Sequence, residues 1–132
     1  MFVYKDIKCL APNDLHDLFL SVEWASGNFP DKLAVAMNNS GTVFTAWHGD
    51  KLVGLVNALD DKIMTAYVHY LLVHPDYQGK GIGKELIRMI REKYTNYLRI
   101  VLVTDNKEIG FYEHCGFDSV KNECSPMFIT SL

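Results

Sequence analysis

Little in this chain points to metal, membrane or nucleic acid. It has three cysteines, Cys9, Cys115 and Cys124, an odd number with no C-x-x-C spacing. That argues against a disulfide framework and against a zinc site. No metal is expected, and a reducing, cytoplasmic setting is. Basic residues are in deficit, with 13 Lys and Arg against 16 Asp and Glu and a formal net charge of −3. A nucleic-acid binder is expected to carry a basic stripe, so nucleic acid is not an expected partner. A small anionic ligand stays open, because a local site can be positive on an acidic protein. Long apolar runs are also missing. The opening "MFVYKDIKCL" lacks a signal-peptide core, and no segment reaches the length of a membrane span. No repeat, linker or low-complexity tract interrupts the 132 residues, so one domain, 1–132, is expected.

What is present is a sequence of apolar patterns. "FVYKDI" alternates as a strand. Pro12 opens "PNDLHDLFLSVEW", where Leu15, Leu18, Phe19 and Val22 recur at helical spacing. "ASGNFP" breaks that helix, and Pro30 starts a second, through about Met37. "TVFTAWH" and "KLVGLVNAL", joined by "GD", form a hairpin. "KIMTAYVHYLLV" adds a third strand, its end apolar enough for burial on both faces. A helix follows, with Ile82, Leu86, Ile90 and Tyr94 in one stripe and Ile87 filling it. "YLRIVLV" reads as another buried strand. "DNKEIGFYEHCGF" reads as a short helix, capped by Asp105 and stopped at Gly116. "PMFIT" reads as a final strand, with a further short strand after Gly116. The class is therefore α/β in the mixed, α+β sense: a mixed, mostly antiparallel sheet of about six to seven strands with helices on both faces.

The segment "VHPDYQGKGIGKE" sets Gly79, Gly81 and Gly83 between a strand and an amphipathic helix. Helix-opening amides have no internal partner, and the helix dipole adds positive charge there. Such a mouth is an anion site suited to phosphate. Glycine lets oxygens approach the backbone, and Lys80 and Lys84 add charge. The stretch from Gln78 to Lys84 can thus cradle a pyrophosphate. It is not a P-loop: Gly79 and Lys84 are wrongly spaced and Glu85 stands where a hydroxyl belongs. Nor is it a dinucleotide fingerprint, because position 86 is Leu instead of a third glycine.

The pattern Q-x-x-G-x-G, filled by Gln78, Gly81 and Gly83, resembles the coenzyme A-binding motif of the GNAT superfamily of N-acetyltransferases. "GFYEHCGF" is similar to that superfamily's late FY-x-x-x-GF segment, and the order of elements matches. The resemblance implies the GNAT fold, acetyl-CoA as acyl donor and transfer to a primary amine on a small molecule or peptide. It implies that the strand before the motif splays from its neighbour at a bulge and that Leu71, Leu72 and Val73 pair there with the pantetheine arm, with the Val73 amide polarising the thioester. It places the pyrophosphate on Gly79, Lys80, Gly81, Ile82, Gly83 and Lys84. Tyr112 aligns with a tyrosine that family members use as general acid. A phenol, of pKa about 10, is a mild donor toward a thiol of about 8.5.

Many members use a glutamate on the strand before the motif, and none is present here before Asp76. His69 is the titratable base of that strand, with a pKa near 6.5, and its spacing looks like the base histidine of the arylalkylamine branch. On a regular strand His69 and Val73 would share a face. The chain departs from the family at Asp105 and Glu108. Acceptor contacts are expected from Glu23, Trp24 and Phe29, by charge and cation–π contact, although both aromatics would serve equally as core. A homodimer is left open. So is a non-catalytic coenzyme A sensor or partner-binding module on the same fold, as the alternative to catalysis.

Overall fold

The computed structural model describes all residues, 1–132. Its sheet has five strands in the order β1-β2-β3-β4-β5. They are β1 (Val3–Asp6), β2 (Thr42–His48), β3 (Lys51–Asp60), β4 (Thr65–Val73) and β5 (Arg99–Leu102). Pairings are antiparallel from β1 through β4, and β5 joins β4 in parallel. The helices are α1 (Pro12–Ser21), α2 (Pro30–Asn39), α3 (Ile82–Lys93) and α4 (Ile109–His114).

Alternating side chains divide the core in two. On one face α1 and α2 bury Leu15, Leu18, Phe19, Leu33 and Met37 against Val43, Leu55 and Leu72. On the other, α3 buries Ile82, Leu86, Ile90 and Tyr94 against Val53, Val56, Ala66 and Val68. The β2–β3 hairpin turns at Gly49, which takes the left-handed φ of +61° that such a tight turn requires.

Three expectations fail. The sheet has five strands, because "PMFIT" and the residues after Gly116 form none; Met127, Phe128 and Ile129 stand exposed. β5 is an edge strand with Arg99 and Val101 exposed, although its apolar run reads as buried. Asp105 precedes a turn of 3-10 helix but its side chain caps no amide; only its carbonyl is used, accepting from the Glu108 N–H. Gly116, at φ +99°, does end α4.

Candidate functional site

The site begins with a mismatch of strand lengths. β5 accompanies β4 only from Thr65 to Val68, and β4 continues alone on that side to Val73. The other edge of β4 stays on β3, where the His74 N–H donates to the Val53 carbonyl at 2.8 Å. Backbone groups alternate sides along a strand. The main chain of Leu72 therefore faces β3, and those of Leu71 and Val73 face the gap left by β5. The Val73 carbonyl there accepts from Nε2 of Gln78 at 2.9 Å, which ties the glycine segment to the strand end.

The amides of Gly79, Lys80, Gly81, Ile82, Gly83 and Lys84 donate to no acceptor in the protein; the first α3 turn closes with Glu85 N–H to the Gly81 carbonyl at 3.0 Å. Six consecutive free donors at the positive end of a twelve-residue helix are what an anion needs. Lys80 and Lys84 are exposed and outside the ion pairs of α3, which join Arg88 to Glu85 and Glu92. The glycines differ in purpose. Gly79 and Gly81 adopt φ of +76° and +87°, and a Cβ on either would meet nothing within 4 Å. They are required by conformation, and the space before them is open. Gly83 is favoured by space: its Cβ would lie 3.3 Å from the Phe111 ring, which would have to give by a few tenths of an ångström, and 3.8 Å from Val73. The Ile82 side chain is buried in the core, so only its amide faces outward.

Phe111 thus brings α4 against the glycine segment. Tyr112 follows, its ring edge-on to Phe111 at 5.0 Å and to Phe117 at 5.9 Å. Burial, then the charge of Glu108, pushes its phenol up to about 12. Cys115, in the same helix, is likewise raised by burial, so its thiol is no ready nucleophile.

The opposite face carries the other candidates. The register passes from Asn57↔Tyr70 to Ala58↔Val68, so His69 is an extra residue without a partner on β3, a β-bulge. The bulge overturns the expectation that His69 and Val73 share a face. Val73 and Leu71 pack toward α3, while Tyr70 packs toward α1. The rings of His69 and Tyr70 lie face to face, 4.0 Å apart at 22°. Neighbours on a regular strand point apart, so only the bulge permits this stack. Tyr67 also stacks on His69, at 5.7 Å and 28°. Although the residue is exposed overall, this ring density draws water from the imidazole and holds its pKa below the usual range.

Trp24 joins this wall through Tyr70, at 5.9 Å. Tyr70 also packs on Phe19 and shares a 3.0 Å hydrogen bond with Ser26. Phe29 stands apart, exposed, with Lys32 Nζ over its ring at 5.5 Å. Glu23 is exposed at a left-handed φ of +62°, and its side chain takes part in no hydrogen bond or ion pair. Sequence reasoning missed Tyr70, Tyr67, Ser26 and Asn57. A lone Asn in the apolar run "KLVGLVNAL" was the available signal for the last.

Comparisons with known proteins identify the family and the fold. The family model described as the acetyltransferase (GNAT) domain matches residues 39–119. An uncharacterized N-acetyltransferase of Gracilaria tenuistipitata var. liui is 30% identical, over 88% of this chain and 66% of its own length. A histone acetyltransferase of Glycine max is 32% identical, over 87% of this chain and 55% of its own length. The chain thus spans about two thirds and about half of these relatives. Among solved structures, a GNAT-family acetyltransferase from Streptococcus pneumoniae superposes with a TM-score of 0.86 at 27% identity, covering 99% of this chain and 98% of that one.

Proposed function

Because the chain belongs to the GNAT family of acetyltransferases, we propose that it moves an acetyl group from acetyl-CoA to a primary amine by direct attack in a ternary complex. Residues 1–132 act as one acetyltransferase domain in this reading. The observation that carries it is the run of six free amides opening beside the unpaired edge of β4. Acetyl-CoA, when bound, supplies an acetyl group activated as a thioester.

The amides from Gly79 to Lys84 hold the pyrophosphate, with Lys80 and Lys84 adding charge. Leu71 and Val73 offer main-chain groups to the pantetheine arm; the main chain of Leu72 is already engaged with β3. The Val73 N–H steadies charge developing on the carbonyl oxygen. His69 takes the proton that an ammonium must lose before it can attack, a task suited to an imidazole kept neutral at physiological pH. Tyr112 presents its O–H to the departing sulfur. At about 12 its pKa lies well above that of a thiol, about 8.5. It therefore steadies the departing sulfur by hydrogen bonding and keeps its own proton; the second proton, which the attacking nitrogen sheds as the amide forms and the C–S bond breaks, ends on the coenzyme A sulfur.

The acceptor, on a small molecule or peptide, lies against Trp24, Tyr70, His69 and Tyr67, with Glu23 near the rim. No helix is long and apolar enough to cross a membrane. Three unpaired cysteines suit the reducing cytoplasm proposed as its setting. Assembly as a homodimer is proposed with it, and a sedimentation experiment decides that point.

Calorimetric titration with acetyl-CoA, with ATP and NAD as controls, tests the reading. Selective acetyl-CoA binding followed by turnover in an amine screen supports it. Preference for ATP or NAD overturns it. Binding without turnover of any amine, and indifference to Tyr112→Phe, replaces it with a non-catalytic coenzyme A-binding module.

A further inference from the structure

Asn57 is polar, 1% exposed and set among apolar residues of β3, where a valine or leucine would normally stand. Each end of its carboxamide has a partner. Oδ1 accepts the Tyr70 N–H at 2.9 Å, and Nδ2 donates to Ser40 Oγ at 3.1 Å. The orientation of the amide is forced. Ser40 uses its hydroxyl proton on the Ala36 carbonyl at 2.8 Å, so its oxygen can only accept from Asn57; a backbone N–H can only donate, so Tyr70 must face Oδ1. The last turn of α2 thus sets the amide of Asn57, and Asn57 satisfies the strand amide that the bulge removes from the regular ladder. Without such an acceptor that amide would be unpaired, and the bulge would lose its advantage over a regular register.

We propose that Asn57, oriented by Ser40, is a positioning residue: it fixes the β4 bulge, and through it both the stacking of His69 on Tyr70 and the turn of the Leu71 and Val73 amides toward the gap beside β5. The inference rests on the role given to His69 in the proposed function, but its structural half stands without activity. A single side chain then sets the direction of the base on one face and of two backbone donors at the strand edge. It touches neither substrate nor coenzyme.

The test compares Asn57→Val with Asn57→Asp. Valine favours a regular strand and offers no acceptor. Aspartate keeps an acceptor for the Tyr70 N–H, and its second oxygen can accept from a rotated Ser40 hydroxyl. Ring-current shifts of the His69 protons report the stack on the whole protein without substrate. In Asn57→Val these shifts are expected to collapse and kcat to fall by about 100-fold, the scale of a small misplacement of catalytic groups, while acetyl-CoA affinity on the Gly79–Lys84 amides changes far less. Asn57→Asp is expected to retain the shifts and most of kcat. If Asn57→Val keeps both, or Asn57→Asp loses as much as Asn57→Val, the positioning role is overturned. Should Asn57→Val not fold, Ser40→Ala, which frees the carboxamide to turn, must weaken the stack and lower kcat, and unchanged values of both overturn the proposal. A protein that acetylates no amine but loses the stack in Asn57→Val refutes the assigned reaction and leaves the bulge device standing.

Discussion

The ring of Phe111 stands 3.3 Å from the point that a Cβ on Gly83 would occupy. One missing methyl group lets α4 lie against the mouth of α3, and so sets where Tyr112 can reach. Gly83→Val is expected to push Phe111 away, displace α4 and weaken acetyl-CoA binding sharply in calorimetry. Pairing Gly83→Ala with Phe111→Leu should recover much of the loss. Failure of that pair to do better than Gly83→Ala alone would remove Phe111 from the explanation.

Gly81 makes a different demand. A side chain there meets no neighbour, yet its φ of +87° costs an L-residue about 1–2 kcal/mol. Gly81→Ala should lower the unfolding free energy in denaturant melts by that order and re-aim the free amides. Binding of acetyl-CoA should suffer, more so in Gly81→Val, whose side chain enters the open space before the loop. Unchanged affinity in both variants would sink the anion-cradle argument.

Tyr112→Phe should lower kcat far more than it weakens acetyl-CoA binding. With its pKa raised to about 12, the phenol stays protonated through the neutral range and contributes no alkaline limb below about pH 10. Equal loss of turnover and binding would recast Tyr112 as packing.

His69 sets the acid side of the profile. Desolvation holds its pKa below the usual imidazole value, so kcat/KM should rise with pH through a midpoint below about 6.5. His69→Gln should abolish that limb. The sign for stability follows from the same depression. The neutral ring favours folding above the unfolded value, about 6.5, and this contribution is lost as pH falls toward the folded value. Thermal melts of His69→Gln should therefore lose less stability than the parent on acidification.

Tyr94 provides a control remote from the chemistry. Its buried hydroxyl donates to Asp60 Oδ2 at 2.6 Å and lies 2.7 Å from Thr42 Oγ1. Tyr94→Phe should cost about 1–3 kcal/mol in denaturant melts, because it leaves buried groups without partners. Acetyl-CoA affinity should stay as it is.

The stripe of α3, the β2–β3 hairpin and the glycine mouth were legible because each is written in local spacing. The features that failed are non-local. The family resemblance implies a bulge on this strand, but its place at His69 depends on Asn57, twelve positions earlier and on another strand. Nothing in "YVHYLL" alone distinguishes a bulged strand from a regular one. β5 reads as buried because its apolar run carries no mark of sheet position, and the edge is decided by which strands pair. "PMFIT" has the composition of a strand, but composition supplies no neighbour. Trp24 packs on Tyr70, and Tyr70, the partner that joins it to His69, was left unmarked by sequence spacing.

The unequal lengths of β4 and β5 give the protein an internal gauge. Amides of β4 locked in a ladder exchange their hydrogens with solvent slowly, whereas those of Leu71 and Val73 face the gap and should exchange quickly within the same strand. Whatever lies along that edge must slow these two and leave the rest of β4 untouched. Two positions, followed by deuterium uptake, would report occupancy directly, with no need to identify an acceptor first.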